Sequence, residues 1–367
     1  MILRRRILAM KLIIWNQFDI IDRNIEYFRE RMDEEISRFK KKASMKILIT
    51  GAGGFIGSHL TERIVRLGHE VRAFVRYNSN NQWGWLDKSA CKNDLEIVCG
   101  DIRDFDSVHR AMKSCHVVFH LAALIGIPYS YLSPLSYIKT NIEGTYNILE
   151  AARTLELDQV LVTSTSETYG TAQYIPIDEQ HPVVGQSPYS ASKIAADQMS
   201  ISYYRSFSLP LKIIRPFNTY GPRQSLRAII PTIMSQVLAG RDKINLGNIG
   251  PTRDFTFVLD TVEAFLEIWK SPDLIGEVVN IGMNEEISVG DLSSLIMELA
   301  GREAVIFKED ARIRPQQSEV EHLRCNNKKL LARTAWRPRY DIRQGLKETM
   351  VWLNDNIASF KADRYHV

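Results

Sequence analysis

Thr50-Gly51-Ala52-Gly53-Gly54-Phe55-Ile56-Gly57 follows the apolar run Ile47-Leu48-Ile49 and precedes a helical pattern over residues 59–67. A strand that enters a glycine-rich turn and leaves as a helix is the context in which such glycines carry meaning. Gly51 allows the tight turn, Gly54 lets backbone approach a diphosphate, and Gly57 lets the helix pack on the strand. The diphosphate then meets the unpaired N–H groups at the helix N-terminus. The plain alternative is an ordinary strand-turn-helix corner, so further residues must decide.

Tyr189-Ser190-Ala191-Ser192-Lys193 places a phenol and an ammonium four residues apart, on one face if the segment is helical. A cation beside a phenol favours the phenolate, so Tyr189 is expected to act as a base near neutral pH. Upstream, Ser164-Thr165-Ser166-Glu167-Thr168-Tyr169-Gly170 follows the strand-like residues 159–163. Ligands of open parallel sheets bind at the carboxyl ends of strands, so the three segments are expected to converge on one cleft.

From Lys46 onward, strand patterns at 46–50, 70–75, 95–98, 117–120, 159–163 and 211–215 alternate with helical ones, notably 104–113, 134–155 and 189–206. This predicts an α/β chain with a Rossmann-type, doubly wound parallel sheet covered on both faces. Residues 1–44 read as a helical N-terminal extension, with an amphipathic pattern over 19–42, and residues 45–220 as the dinucleotide-binding domain. Residues 221–355 read mainly as a smaller, interleaved substrate-binding domain with helices at 261–269, 289–299 and 342–354. Strands from 251–282 are free to join the first sheet.

Segment 1–44 holds eleven Lys/Arg against seven Asp/Glu, which accounts for the whole net charge of +4. The neutral remainder gives no basis for nucleic-acid binding. Four cysteines without close pairing argue against a disulfide scaffold or a metal site and suit a reducing, cytoplasmic setting. Uninterrupted apolar runs fall short of 18 residues, so no membrane span is expected.

Over residues 46–353 the chain resembles the extended short-chain dehydrogenase/reductase family, in its nucleotide-sugar-modifying branch. The resemblance rests on the glycine turn, Gly100-Asp101-Ile102-Arg103-Asp104, Phe119-His120-Leu121-Ala122-Ala123, Thr140-Asn141-Ile142-Glu143-Gly144-Thr145, the Ser164 and Tyr189 segments, Arg215-Pro216-Phe217-Asn218-Thr219-Tyr220-Gly221-Pro222-Arg223, and Arg314-Pro315. Arg76-Tyr77-Asn78-Ser79, Trp83-Gly84-Trp85-Leu86 and Gly185-Gln186-Ser187-Pro188 are similar to the 4,6-dehydratases of the legionaminic acid pathway.

The resemblance implies an NAD(P)+ cofactor, tightly bound and recycled. It would be held by Gly51, Gly54, Phe55, Ile56, Gly57, Arg76, Asn78, Ser79, Asp101, Ile102, Leu121, Ala122, Ala123, Thr140, Tyr189, Lys193 and Pro216. The second strand ends in Arg76 rather than an acid, which leans toward NADP without excluding NAD. The catalytic set would be Thr165, Ser166, Glu167, Tyr189 and Lys193; Asn218, Arg227, Arg253 and Arg314 would bind the substrate. The implied reaction is 4,6-dehydration of GDP- or UDP-N-acetylglucosamine in bacterial-type surface-sugar biosynthesis. Tyr189 starts oxidation at C4, Thr165 bonds the C4 oxygen, and Glu167 removes the C5 proton before water leaves C6. Deoxythymidine-diphosphoglucose dehydratases carry Asp where this chain has Ser166, so Glu167 is read as passing its proton to the C6 oxygen. UDP-glucuronate decarboxylation and 4-epimerisation stand as alternatives, as does, more remotely, a non-catalytic cofactor-binding regulator. Relatives pair through the Tyr189 helix and the long helix before it. That implies a homodimer built on a four-helix bundle, with Ile194, Met199, Ile201 and Tyr203 as candidate contacts.

Overall fold

The computed structural model describes residues 44–313 and 315–357, so the helical reading of 1–44 lies outside the described residues. The central sheet is built from β1 (Lys46–Thr50), β2 (Glu70–Arg76), β3 (Leu95–Gly100), β4 (Val117–His120), β5 (Gln159–Thr163) and β6 (Leu211–Pro216). Each lies within two residues of its expected place. With β7 (Asn218–Tyr220), β8 (Lys243–Leu246), β9 (Thr252–Arg253) and β10 (Phe255–Phe257) numbered in chain order, the later strand β11 (Val278–Ile281) pairs in parallel with β6 and completes the sheet. The order β11-β6-β5-β4-β1-β2-β3 reverses direction between β1 and β4, which opens a crevice at their carboxyl ends. Ile47, Leu48 and Ile49 are fully buried, as expected of a parallel strand covered on both faces.

Close backbone approach sets the first turn. Gly51 adopts φ +70°, and a Cβ there would lie 2.8 Å from the Ala122 nitrogen. A Cβ on Gly57 would lie 2.2 Å from the Gly51 carbonyl oxygen. The following helix spans Phe55–Arg66 and so starts earlier than its apolar periodicity indicated.

The expected helix over 134–155 runs as Pro134–Tyr137, a π-helical turn at Ile138–Glu143, and Gly144–Thr154. Such turns recur at functional sites, and this one carries Thr140 and Asn141. The Pro188–Phe207 helix opens with a capping box between Ser187 and Ser190, has Pro at its first position, and ends at Ser208 in the left-handed region. Tyr203 on this helix is core, with its hydroxyl donating to Glu150 at 2.9 Å, and Met199 and Ile201 pack against the same core. Tyr203 is therefore buried within the chain itself, while Met199 and Ile201 stay partly exposed. The exposed apolar side chains of this region are Leu132, Leu135, Ile138, Tyr146, Tyr204 and Phe207.

Buried Lys212 in β6 donates to the carbonyls of Ile268 and Trp269 at 2.7 and 2.8 Å, near the end of the Val258–Lys270 helix. The ammonium meets the negative end of that helix, although burial pulls its pKa down to about 8. A helix at Ile229–Leu238, absent from the sequence reading, shares an apolar cluster with Tyr220, Phe257, Leu292 and Leu346. Among the described residues, no helix is long and apolar enough to cross a membrane.

We expect Gly57→Ala to lower the unfolding free energy by about 1–3 kcal/mol through overpacking. Helix propensity alone favours Ala by about 1 kcal/mol, so urea unfolding that shows a gain would mean the two backbones separate freely.

Candidate active site

The carboxyl ends of the strands surround a cavity of about 950 Å³. Its wall brings together the expected Gly51, Gly54, Phe55, Ile56, Gly57, Arg76, Asn78, Asp101, Ile102, Leu121, Ala122, Ala123, Thr140 and Pro216 with Thr165, Glu167, Tyr189, Asn218 and Arg227. The helix that starts at Phe55 has no side-chain cap and no acidic residue in its first turn, so its N–H groups are left for an anion. A dinucleotide diphosphate fits that arrangement.

At the end of β2, Arg76 is exposed. Asn78 donates to the Gln82 carbonyl at 2.6 Å and accepts from the backbone N–H of Asn80 and Gln82. Its amide therefore organises its own loop. Ser79 is off the cavity wall, contrary to expectation, because that turn carries it outward. Arg103 forks onto Asp101 at 2.9 and 3.0 Å. That bond holds the carboxyl below its usual range, with Arg76 adding positive charge.

The His120 ring joins the ends of β1 and β4 to the long helix. Thr145 donates to the Asn141 carbonyl at 2.6 Å, so it accepts from His120 Nε2 at 3.1 Å. His120 Nδ1 must then accept from Thr50, 2.8 Å away, whose oxygen accepts the N–H of Leu121 and Ala122 at 3.2 Å. Burial and the charge of Lys193 pull the imidazole down to about 3, which keeps it neutral in this relay.

Thr165 caps the short turn Ser166–Tyr169 and accepts from the Glu167 N–H at 3.2 Å. Half-buried Glu167 faces the cavity, whereas Ser166 is 2% exposed and off its wall. Of the expected Thr165, Ser166 and Glu167, the wall thus takes in the first and the last, with Ser166 buried behind it. Tyr189 is 7% exposed. Burial pushes its phenol well above the ordinary range; a hydrogen bond with Thr165 opposes that, and the charge of Glu167 adds to it. Lys193 is 3% exposed, does not line the cavity, and donates to the Thr163 carbonyl at 2.6 Å. The expectation that a cation beside the phenol favours its ionised form meets an opposing effect here: burial is the largest influence on Tyr189, and Lys193 is hydrogen-bonded to backbone.

A second cavity of about 480 Å³ shares Glu167, Asn218, Gln224 and Arg227 with the first. Arg253 lines it, but Nη1 donates to the Val320 and Thr252 carbonyls at 2.8 and 2.9 Å and Nη2 approaches Glu319. Arg314 lies outside the described residues. Thr163 Oγ1, Asn218 Oδ1 and Gln224 Oε1, all from residues on the first cavity's wall, are buried without a partner. Such groups call for a ligand to satisfy them. Gln224 escaped the sequence reading although it directly follows the motif ending in Arg223. Trp83 and Gly84 also line the cavity, and a Cβ on Gly53 would lie 2.1 Å from the Trp83 carbonyl oxygen. The Trp83-Gly84-Trp85 run was a signal in the sequence, but its closure over Gly53 was not.

The family model described as GDP-mannose 4,6 dehydratase matches residues 48–349. A putative UDP-glucose 4-epimerase of Methanocaldococcus jannaschii is 31% identical over 84% of this chain and 99% of that protein. The UDP-N-acetyl-alpha-D-glucosaminuronate decarboxylase of Bacillus cytotoxicus is 30% identical over 84% of this chain and 98% of its own. A UDP-glucuronic acid 4-epimerase from Bacillus cereus, solved in complex with UDP-glucuronic acid and NAD, has a TM-score of 0.77 at 26% identity and covers 85% of this chain and 99% of that one. Epimerase, decarboxylase and dehydratase chemistries all occur around this sheet and these motifs, and the chain belongs to the extended short-chain dehydrogenase/reductase family, in its epimerase/dehydratase branch.

Proposed function

We propose that this protein is an NAD(P)-dependent nucleotide-sugar 4,6-dehydratase acting on GDP- or UDP-N-acetylglucosamine. The observation that carries the reading is Glu167, a carboxylate on the wall common to both cavities and within electrostatic reach of Tyr189. A dinucleotide would occupy the larger cavity and the nucleotide sugar the smaller, within the 221–355 portion, with the hexose at their junction. A bound nicotinamide supplies reversible two-electron oxidation at C4 and the matching reduction at C6.

The chain's own residues move the protons. Tyr189 takes the C4 hydroxyl proton while Thr165 holds the C4 oxygen. Lys193, with two of its three N–H bonds unpartnered among the described residues, supplies positive charge beneath. The C4 ketone acidifies C5, and Glu167 removes that proton. With Ser166 off the cavity wall, Glu167 also returns the proton to the C6 oxygen, which leaves as water; as C6 is reduced, C5 regains a proton in exchange with solvent, matching the one that Tyr189 took. Asn218, Gln224 and Arg227 bind the sugar diphosphate.

A decarboxylase reading draws support from Arg227, a cation on both cavity walls that could hold a C5 carboxylate, and from the Bacillus cytotoxicus relative. Mass spectrometry of a nucleotide-sugar panel separates the readings. Loss of water from a hexose substrate supports dehydration. Loss of carbon dioxide from UDP-glucuronate, or an isomer of unchanged mass, overturns it.

Tyr189→Phe should lower turnover by about 10²–10⁴-fold. Glu167→Gln should still oxidise C4, so reduced cofactor accumulates by absorbance while dehydration and solvent deuterium exchange at C5 fall about 10²-fold. Normal dehydration by the Gln variant would make Glu167 structural and remove the main support for this reaction.

Exposed Arg76, on the cavity wall at the end of β2 where an acid would suit NAD, favours a 2′-phosphate, so the cofactor is proposed to be NADP. Nucleotide released on denaturing the purified protein should run as NADP or NADPH in ion-exchange chromatography; NAD alone overturns this.

The exposed apolar row of Leu132, Leu135, Ile138, Tyr146 and Phe207 supports a homodimer formed through the long helices. Sedimentation velocity at micromolar concentration should give a dimer, and a monomer throughout would reject it.

A further inference from the structure

We propose that Asp197 is a positioning residue of this site, supplying the buried counter-charge to the Lys193 ammonium and, through Ser164, anchoring the loop that carries Thr165 and Glu167. Lys193 and Asp197 lie four residues apart on the Pro188–Phe207 helix, hence on one face. Asp197 is fully buried. Successive residues at the end of β5 receive them: the Thr163 carbonyl accepts from Lys193 at 2.6 Å, and Ser164 Oγ donates to Asp197 Oδ2 at 2.7 Å. From β6, Arg215 donates Nε and Nη2 to the same oxygen at 3.2 and 2.8 Å. The other oxygen, Oδ1, is buried without a hydrogen-bond partner.

The surroundings leave Lys193 dependent on this carboxylate. His120 on β4 faces Lys193 but is held neutral. Glu167 acts on Tyr189, and Tyr169 stacks under Arg215 at 4.8 Å. Burial pulls the Lys193 pKa down, and Asp197 is the charge that opposes it. Full burial can lower an ammonium by about 3–5 units, enough to discharge it near neutral pH. A purely structural ion pair would need Arg215 alone and could be replaced by apolar groups at little cost. The lysine one turn away and the serine on the catalytic loop give this pair a second task.

The inference rests on the proposed reaction only in giving Lys193 a catalytic setting, so the main test reads the lysine itself. Protein carrying ¹³Cε-lysine is titrated by NMR, with Lys193→Arg identifying the signal. Asp197→Asn should lower the Lys193 titration by about one unit or more, because Arg215 is left unopposed. The double variant D197N/R215Q should lie between that and wild type, and Asp197→Glu should restore the wild-type value. Loss of activity on the alkaline side should move down by the same amount, since activity ends as Lys193 loses its proton. A folded D197N with an unchanged lysine titration overturns the proposal, as does equal displacement in the single and double variants. If neither D197N nor D197N/R215Q folds, the carboxylate serves stability and the proposal also fails. A lysine that moves as expected in a protein that dehydrates nothing would instead discard the reaction and keep the network.

Discussion

Backbone pressed against backbone at Gly51 and Gly57 is the constraint on which the site depends. The carbonyl of Gly51 occupies the space a side chain on Gly57 would need, and Ala122 closes on Gly51 from β4. That crowding draws an uncapped helix N-terminus over the point where the sheet changes direction. The Thr50–His120–Thr145 relay then ties the same strand ends to the helix bearing Thr140. Because each donor in the relay has a single available acceptor, the neutral imidazole has one tautomer and the loop one position.

Buried charge is handled by a common device, in which backbone groups take the place of water. Lys212 ends on helix carbonyls and Lys193 on the Thr163 carbonyl. Asp254, fully buried, accepts the N–H groups of Met283, Asn284 and Cys325 at 2.7, 2.9 and 3.0 Å and so ties three segments together. Burial still pushes its carboxyl up to about 7, because N–H dipoles replace only part of the lost hydration. Asp197 and Arg215, like Glu62 and Arg223, instead pair directly with each other.

In this arrangement the Tyr189 phenol is pushed above its ordinary range. Desolvation and the neighbouring carboxylate both oppose its ionisation, and the Thr165 hydrogen bond is too small to reverse them. Readiness for proton transfer must come from positive charge placed beside the phenol, which makes the state of Lys193 a property of the whole network rather than of the Tyr-Lys spacing.

Sequence by itself determined the layers and the place of the cleft. Parallel strands buried on both faces leave continuous apolar runs such as Ile47-Leu48-Ile49, and the glycines and the Tyr189–Lys193 spacing are local chemical signals. Short β11 and the Ile229–Leu238 helix are stabilised by contacts with distant segments, so residues 278–281 and 229–238 carry weak local signals. Tertiary structure alone decided what each polar group spends itself on. Asn78 closes its own loop, Arg253 binds the Val320 and Thr252 carbonyls, Ser166 turns inward, and Tyr203 joins the core rather than a surface. Residue type sets what a side chain can donate, accept or ionise, but burial and partner geometry decide which of these it does, and both arise from segments far apart in the chain.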